Sequence, residues 1–254
     1  MFYILIFIFG AVFGSFFNVC IYRIPKKKSI VFPDSSCPFC KTHIKPYHNI
    51  PIISYIFLKG KCAYCGVKID LHYFLVELLT PLLLILLFTS QNGQFSIVFF
   101  KYAIFISFGL IIFFIDLYHS IIPDKLSIPL IVIGLIFSIL PNTDVSWISA
   151  VIGSLSGFIL FFGTAFIFQK TTGKDGLGGG DIKLIAAIGA FLGIWGTLFT
   201  VIFSSLVALV LLLIIKHDKE KHFPFGPFLI IGSIFYIITG DFLVQLYLRL
   251  YNVY

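Results

Sequence analysis

The feature that most limits what this chain can fold into is the recurrence, along nearly its whole length, of runs apolar at every position, such as residues 81–88 and 206–215. Such a run has no polar face to turn toward water, and about 20 residues of it cross the roughly 30 Å of a bilayer's hydrocarbon as a helix. Composition agrees: 59% of the 254 residues are hydrophobic and 11% charged, with a mean hydropathy of +1.06, more than a water-soluble core of this size needs. A membrane β-barrel would instead alternate apolar and polar residues over segments of about 10. The expectation is an all-α, polytopic membrane bundle of about eight helices, at residues 2–22, 73–90, 102–117, 126–140, 147–168, 183–195, 198–215 and 226–248. The first run, 2–21, lacks a basic leader and a small-residue cleavage site, so it reads as a retained helix.

The net charge of +7 matters through its placement. With the amino terminus outside, Arg23, residues 26–28, Lys41, Lys45, Lys59, Lys61, Lys68, Lys125, Lys170, Lys174, Lys183, Lys216, Lys219 and Lys221 fall on one face. Only Lys101 and Arg249 fall on the other. Positive charge gathers on the cytoplasmic side of membrane proteins, so the crowded face is cytoplasmic and the basic balance reflects topology, not a nucleic-acid partner.

One long polar insertion, residues 23–72, separates the first two helices and carries Cys37-Pro38-Phe39-Cys40 and Cys62-Ala63-Tyr64-Cys65. Two CxxC turns can offer four thiolates to one tetrahedral ion, which would order a loop too small to build its own core. The expectation is structural zinc on Cys37, Cys40, Cys62 and Cys65, with no open position for catalysis. The competing reading, a pair of disulfides, conflicts with a reducing cytoplasmic location. Cys20 reads as a small buried apolar residue, and His43 and His48 flank a cluster that is complete without them.

Acidic residues are few enough to weigh singly. Asp116 ends the apolar run 109–115, where a carboxylate is costly unless it lines water or meets a partner. The plainer alternative is a helix-end charge reaching the headgroups, but an Asp side chain is too short to reach far. Asp181 closes the glycine-rich stretch 171–181 and opens a helix; its plainer alternative is an N-cap. A helix carboxyl end disfavours negative charge and an amino end favours it, so the two carboxylates should differ in proton affinity. Unlike carboxylates suit an aspartic peptidase, in which one takes a proton from water while the other donates to the scissile carbonyl. Asp124, after Pro123, rivals Asp116 but sits in an ordinary N-cap setting. Asp34, Asp70, Asp144, Asp175, Asp218 and Asp241 read as solvated, and Glu77 is the remaining acid near the membrane.

Five blocks in order resemble the prepilin peptidases, or type IV leader peptidases, over nearly the full chain. Gly14-Ser15-Phe16-Phe17-Asn18-Val19 with Arg23-Ile24-Pro25 resembles the family's amino-terminal block, and the paired CxxC motifs follow. Asn49-Ile50-Pro51 with Ser54 and Leu58-Lys59-Gly60-Lys61-Cys62 resembles the next. Ile115-Asp116 through Ile122-Pro123-Asp124 is similar to the first aspartate block, and Gly178-Gly179-Gly180-Asp181-Ile182-Lys183 to the second. His48 stands where the family usually has an acid, and Leu71-His72-Tyr73-Phe74-Leu75 where it usually has an arginine and proline before the Val-Glu pair.

The resemblance implies that Asp116 and Asp181 cleave the basic leader of type IV prepilins or pseudopilins after a glycine, at the cytoplasmic face of the bacterial inner membrane. It further implies N-methylation of the new amino terminus from S-adenosylmethionine, with Gly14, Asn18, Arg23, Pro25 and Glu77 as binding candidates. Residues 1–95 would form the amino-terminal, methylating part and 96–254 the membrane-embedded peptidase. Lipid and prepilins are then the partners, with homo-oligomerisation open. Two readings from other classes compete. A transporter would also use intramembrane carboxylates, but typically near the midplane and with twofold repetition. A zinc-containing membrane scaffold would tolerate loss of either aspartate.

Overall fold

A computed structural model describes residues 1–173, 176–214 and 224–250, the stretch 241–250 by its backbone alone. Lys174, Asp175, Lys216, Asp218, Lys219 and Lys221, and the side chains of Asp241 and Arg249, lie outside the described residues. The helices are α1 (Phe2–Arg23), α2 (Ile53–Phe57), α3 (Leu71–Ser90), α4 (Ile97–His119), α5 (Asp124–Ile139), α6 (Trp147–Thr172), α7 (Gly179–Ile214) and α8 (Gly226–Leu250), with no strand among the described residues. Helices α1, α3, α4, α6 and α7 are long and apolar enough to cross a membrane. The expected all-α membrane bundle is therefore the fold. The chain forms two compact units, Met1–Leu86 and Leu87–Tyr254.

Seven of these helices are long, and the two expected over 183–195 and 198–215 are one element broken at Gly193. Gly193 sits at φ 66° and ψ −172°, open to glycine and closed to most other residues. A Cβ there would also lie 2.5 Å from the Ser149 Oγ of α6.

In the second unit α7 packs against α4, α5, α6 and α8. Its crossing with α6 is a contact of backbones: a Cβ on Gly153 would lie 2.8 Å from the Gly189 carbonyl oxygen, and one on Gly157 3.1 Å from that of Ile185. Lipid supplies no hydrophobic drive between helices, so small residues four apart let backbones approach and dispersion hold them. The first unit repeats the device with Gly10 and Gly14 of α1: a Cβ on the former would lie 2.6 Å from Pro81 Cα, and one on the latter 2.9 Å from Glu77 Cα.

Asp144 is not simply solvated. Lys101 is fully buried (0% exposed) near the start of α4, and its Nζ donates to Asp144 Oδ1 at 2.7 Å. The Tyr102 hydroxyl donates to the other carboxylate oxygen. A buried ammonium needs an anion, and the turn before α6 returns Asp144 to supply it.

Candidate active site and metal centre

Asp116 is 4% exposed in the last turn of α4, where Ser120, in the left-handed region at φ 51°, stops the helix and its N–H donates to the Asp116 carbonyl at 2.8 Å. Asp181 lies in the first turn of α7. It is not the N-cap itself: its carboxylate reaches back to accept a hydrogen bond from the Gly178 backbone, the reciprocal half of a capping box. Its Oδ1 is buried with no hydrogen-bond partner among the described residues.

The fold brings these two carboxyl groups, 65 positions apart in the chain, close enough for their charges to interact. Ile122 and two glycines set the approach. A Cβ on Gly180, next to Asp181, would lie 2.7 Å from Ile122 Cβ. One on Gly226, at the start of α8, would lie 3.0 Å from Ile122 Cδ1 and 2.6 Å from Asp116 Oδ2. Ile122 is thus more than a member of the first aspartate block, since it packs between the two carboxyl groups; Gly226 is a part of the site that hydropathy and motif reading pass over, its one signal a glycine between Phe225 and Pro227 opening a helix.

Asp124 does not cap α5: Pro123 holds the N-cap position, and Asp124 is the first residue of the helix. Instead Oδ1 accepts from Lys183 Nζ at 2.6 Å, which ties the start of α5 to the first turns of α7. A charged partner from 59 residues away outcompetes the neutral N–H groups of the helix start.

In the first unit the two CxxC turns are near copies. Cys37 N–H donates to the Thr42 carbonyl and Lys41 N–H to that of Cys37; Cys62 N–H donates to the Val67 carbonyl and Gly66 N–H to that of Cys62. Lys41 and Gly66 close the turns at φ 60° and 71°, and the bridges Ser36–His43 and Lys61–Lys68 close the two loops alike. The four sulfurs lie within 4.8 Å of one another, with Cys37 and Cys65 3.9 Å apart. Four thiolates about 2.3 Å from one ion form a tetrahedron with edges of about 3.8 Å, so the cluster could hold zinc. A disulfide needs about 2.05 Å, and all the cysteines are free. Hydrogen bonds with Thr42 pull the Cys40 thiol down to about 6. For Cys65 the lowering by the Val67 backbone is outweighed by desolvation and by the neighbouring thiols, which push it up to about 11. Cys20 is buried in α1 and apart from the cluster.

Of the other candidates, Gly14, Asn18 and Glu77 come together where α1 crosses α3. Asn18 Nδ2 donates to the Tyr73 carbonyl at 2.9 Å, and the Glu77 carboxylate meets the Ser15 and Asn18 side chains. Arg23 is turned to the loop, donating to the Ser29 carbonyl at 3.0 Å and that of Pro33 at 2.6 Å. Pro25 is half-buried in the turn after α1.

Fold and site define a multi-pass helical membrane protein with a carboxylate pair at helix ends and a separate four-thiol loop. Residues 8–91 match the Bacterial Peptidase A24 N-terminal domain, and residues 103–213 match the Type IV leader peptidase family. The chain belongs to that family. It is 36% identical to the prepilin leader peptidase/N-methyltransferase of Neisseria gonorrhoeae, over 92% of this chain and 89% of that one. The proteins of the same name from Bacillus subtilis (34% identity, over 97% of this chain and 98% of that one) and Pseudomonas aeruginosa (33%, 94% and 91%) are similar at comparable coverage. No solved structure matches.

Proposed function

We propose that the chain is an aspartic endopeptidase that removes the leader of type IV prepilins or pseudopilins after a glycine and then N-methylates the new amino terminus from S-adenosylmethionine. Asp116 and Asp181 are its catalytic pair. The observation that carries this reading is the convergence of two carboxyl groups from α4 and α7 at one point, one 4% exposed and the other with a buried oxygen and no bond to it among the described residues.

Two like charges so close in a partly desolvated site favour sharing one proton. The ionised carboxylate takes a proton from water as that water attacks the scissile carbonyl; the protonated one donates to the carbonyl oxygen, which stabilises the developing negative charge. Ile122, Gly180 and Gly226 keep the two groups at a fixed approach. The chemistry faces the cytoplasm of the inner membrane, the side on which the basic residues crowd.

Residues 96–254 carry the peptidase, and residues 1–95 the methyl transfer together with structural zinc on Cys37, Cys40, Cys62 and Cys65. The relatives' shared name, leader peptidase/N-methyltransferase, supports both activities. Gly14, Asn18 and Glu77 form the binding corner, and Arg23 with Pro25 shapes the loop beside it. S-adenosylmethionine, when bound, supplies an electrophilic methyl group.

The test is Asp116→Asn and Asp181→Asn made separately, with a synthetic prepilin in lipid and mass measurement of the product. Each change keeps shape and removes the acid–base group, so cleavage should fall by about 10³-fold or more. Unchanged cleavage in both variants rejects the proposal. A scaffold would tolerate both substitutions.

A further inference from the structure

Glu77 is the only acidic residue on either membrane-capable helix of the first unit, α1 or α3. Its Oε2 accepts from the Ile52 N–H at 2.7 Å, and the carboxylate also meets the side chains of Ser15 and Asn18. All three donors are neutral. Among the described residues no basic side chain lies within ion-pair distance of it. A carboxylate half-withdrawn from water without a cation is an expensive arrangement, and in a membrane protein it marks a site awaiting a partner.

Asn18 adds a second acceptor. It is 3% exposed, and its amide nitrogen is committed to the Tyr73 carbonyl at 2.9 Å. Turning the amide over would set oxygen against oxygen, so the assignment is fixed by its neighbour. Asn18 Oδ1 is then buried with no donor among the described residues. Pro81, one turn beyond Glu77 on α3, has no N–H to offer the Glu77 backbone carbonyl. The corner is rich in acceptors and short of donors.

Glu77 also holds the adjoining loop. Ile52 sits at φ 65° and ψ −54°, and the Ile53 N–H donates to the Pro51 carbonyl at 2.6 Å, which makes residues 51–53 a γ-turn of the rare, positive-φ kind. A β-branched residue is strained there, and such strain persists where surroundings over-determine it. Here the Glu77 carboxylate takes the N–H that the turn presents.

We propose that Ser15, Asn18 and Glu77 form a binding site for a primary ammonium group, with the turn at Ile52 as its lip. An ammonium brings one positive charge and three N–H donors, which answers the lone carboxylate and the Asn18 oxygen together. A hard divalent cation would need several more oxygens and no N–H aimed into its shell. A guanidinium would need two acceptors side by side in its own plane, and Glu77 Oε2 is already engaged. The choice of ligand rests on the methyl-transfer reading above, in which two molecules carry the group: a peptide's free amino terminus, and the amino-acid end of the methyl donor.

Binding to the full-length chain in detergent, by calorimetry, tests this with two probe pairs. One is a peptide with a free amino terminus against its N-acetylated twin. The other is S-adenosylhomocysteine against its desamino analogue. In one pair the wild type should favour the amine by about tenfold or more, and the pair that shows it identifies the source. Glu77→Gln should shrink that preference to about twofold or less. No preference in either pair, or a preference that Glu77→Gln leaves intact, overturns the site.

Should Glu77→Gln fail to fold, the wild type still decides. A trimethylated terminus keeps the charge and loses the donors, so it must bind at least about fivefold more weakly than the ammonium; equal binding overturns the site. Methyl transfer is measured separately with a labelled donor. Transfer without amine preference sinks the site and spares the activity, whereas amine preference without transfer does the reverse.

Discussion

The cysteine loop and the carboxylate pair are built on opposite plans. Each half of the loop is a turn of a few residues, closed by its own hydrogen bonds, in two near-identical copies. The carboxylate pair has no local unit at all: Asp116 ends one helix, Asp181 begins another, and what sets their approach is the absence of side chains at Gly180 and Gly226 around Ile122. A site made of local turns depends on its ligand for order. A site made of helix ends depends on packing that the rest of the unit supplies.

Removing one thiolate shows whether the two plans are independent. Cys37→Ser removes one of four thiolates, and structural zinc of this type is worth on the order of 10–16 kcal/mol of folding free energy to the loop it closes. The purified variant should fall from about one zinc per chain to almost none, by elemental analysis, and the loop should become sensitive to protease. Leader cleavage should stay within about threefold, because sites without shared partners behave additively. Loss of cleavage together with zinc would mean that the two sites are coupled, and full zinc retention would exclude the metal centre.

The same contrast decides what the sequence could tell. The long apolar runs gave the helices, because a bilayer accepts only backbone that satisfies itself. Two CxxC pairs gave the four-thiol cluster because the ligand spacing is local. Asp124 reads from its neighbours as a helix cap and in fact holds Lys183; Asp144 reads as solvated and in fact neutralises Lys101. Both partners come from elsewhere in the chain, where periodicity carries no information. What Gly226, Ile122 and the strained Ile52 do is not legible for the same reason, since each role is defined by what lies against the residue.

Gly226→Ala, a smaller change, tests how far packing alone positions the carboxylate pair. The new Cβ would lie 2.6 Å from Asp116 Oδ2, and the atom able to yield is the end of a side chain rather than backbone. The clash should therefore move the carboxylate more than the fold. Misplacing a catalytic group by about 1 Å costs up to about 10²-fold, so leader cleavage should fall between about 10- and 100-fold while the melting temperature moves by no more than a few degrees. If instead the protein loses stability and the remaining folded fraction cleaves at the normal rate, the glycine serves the helix junction and not the carboxylate.

The smallest effect concerns the ion pair beside the site. Lys183 and Asp124 are 2.6 Å apart, yet 37% and 58% exposed, and exposed pairs are worth roughly 0–1 kcal/mol. Lys183→Ala should slow cleavage about two- to threefold, and the deficit should narrow as salt is raised because salt already weakens the pair in the wild type. The double variant Lys183→Ala with Asp124→Ala should be no worse than either single change, as for partners in one interaction. A tenfold or greater loss that ignores salt would mean that Lys183 acts on Asp181 or on the substrate directly. The carboxylate pair would then rely on a charged neighbour from its own helix as well as on glycine packing, and would share with the cysteine loop a dependence on residues close in the chain.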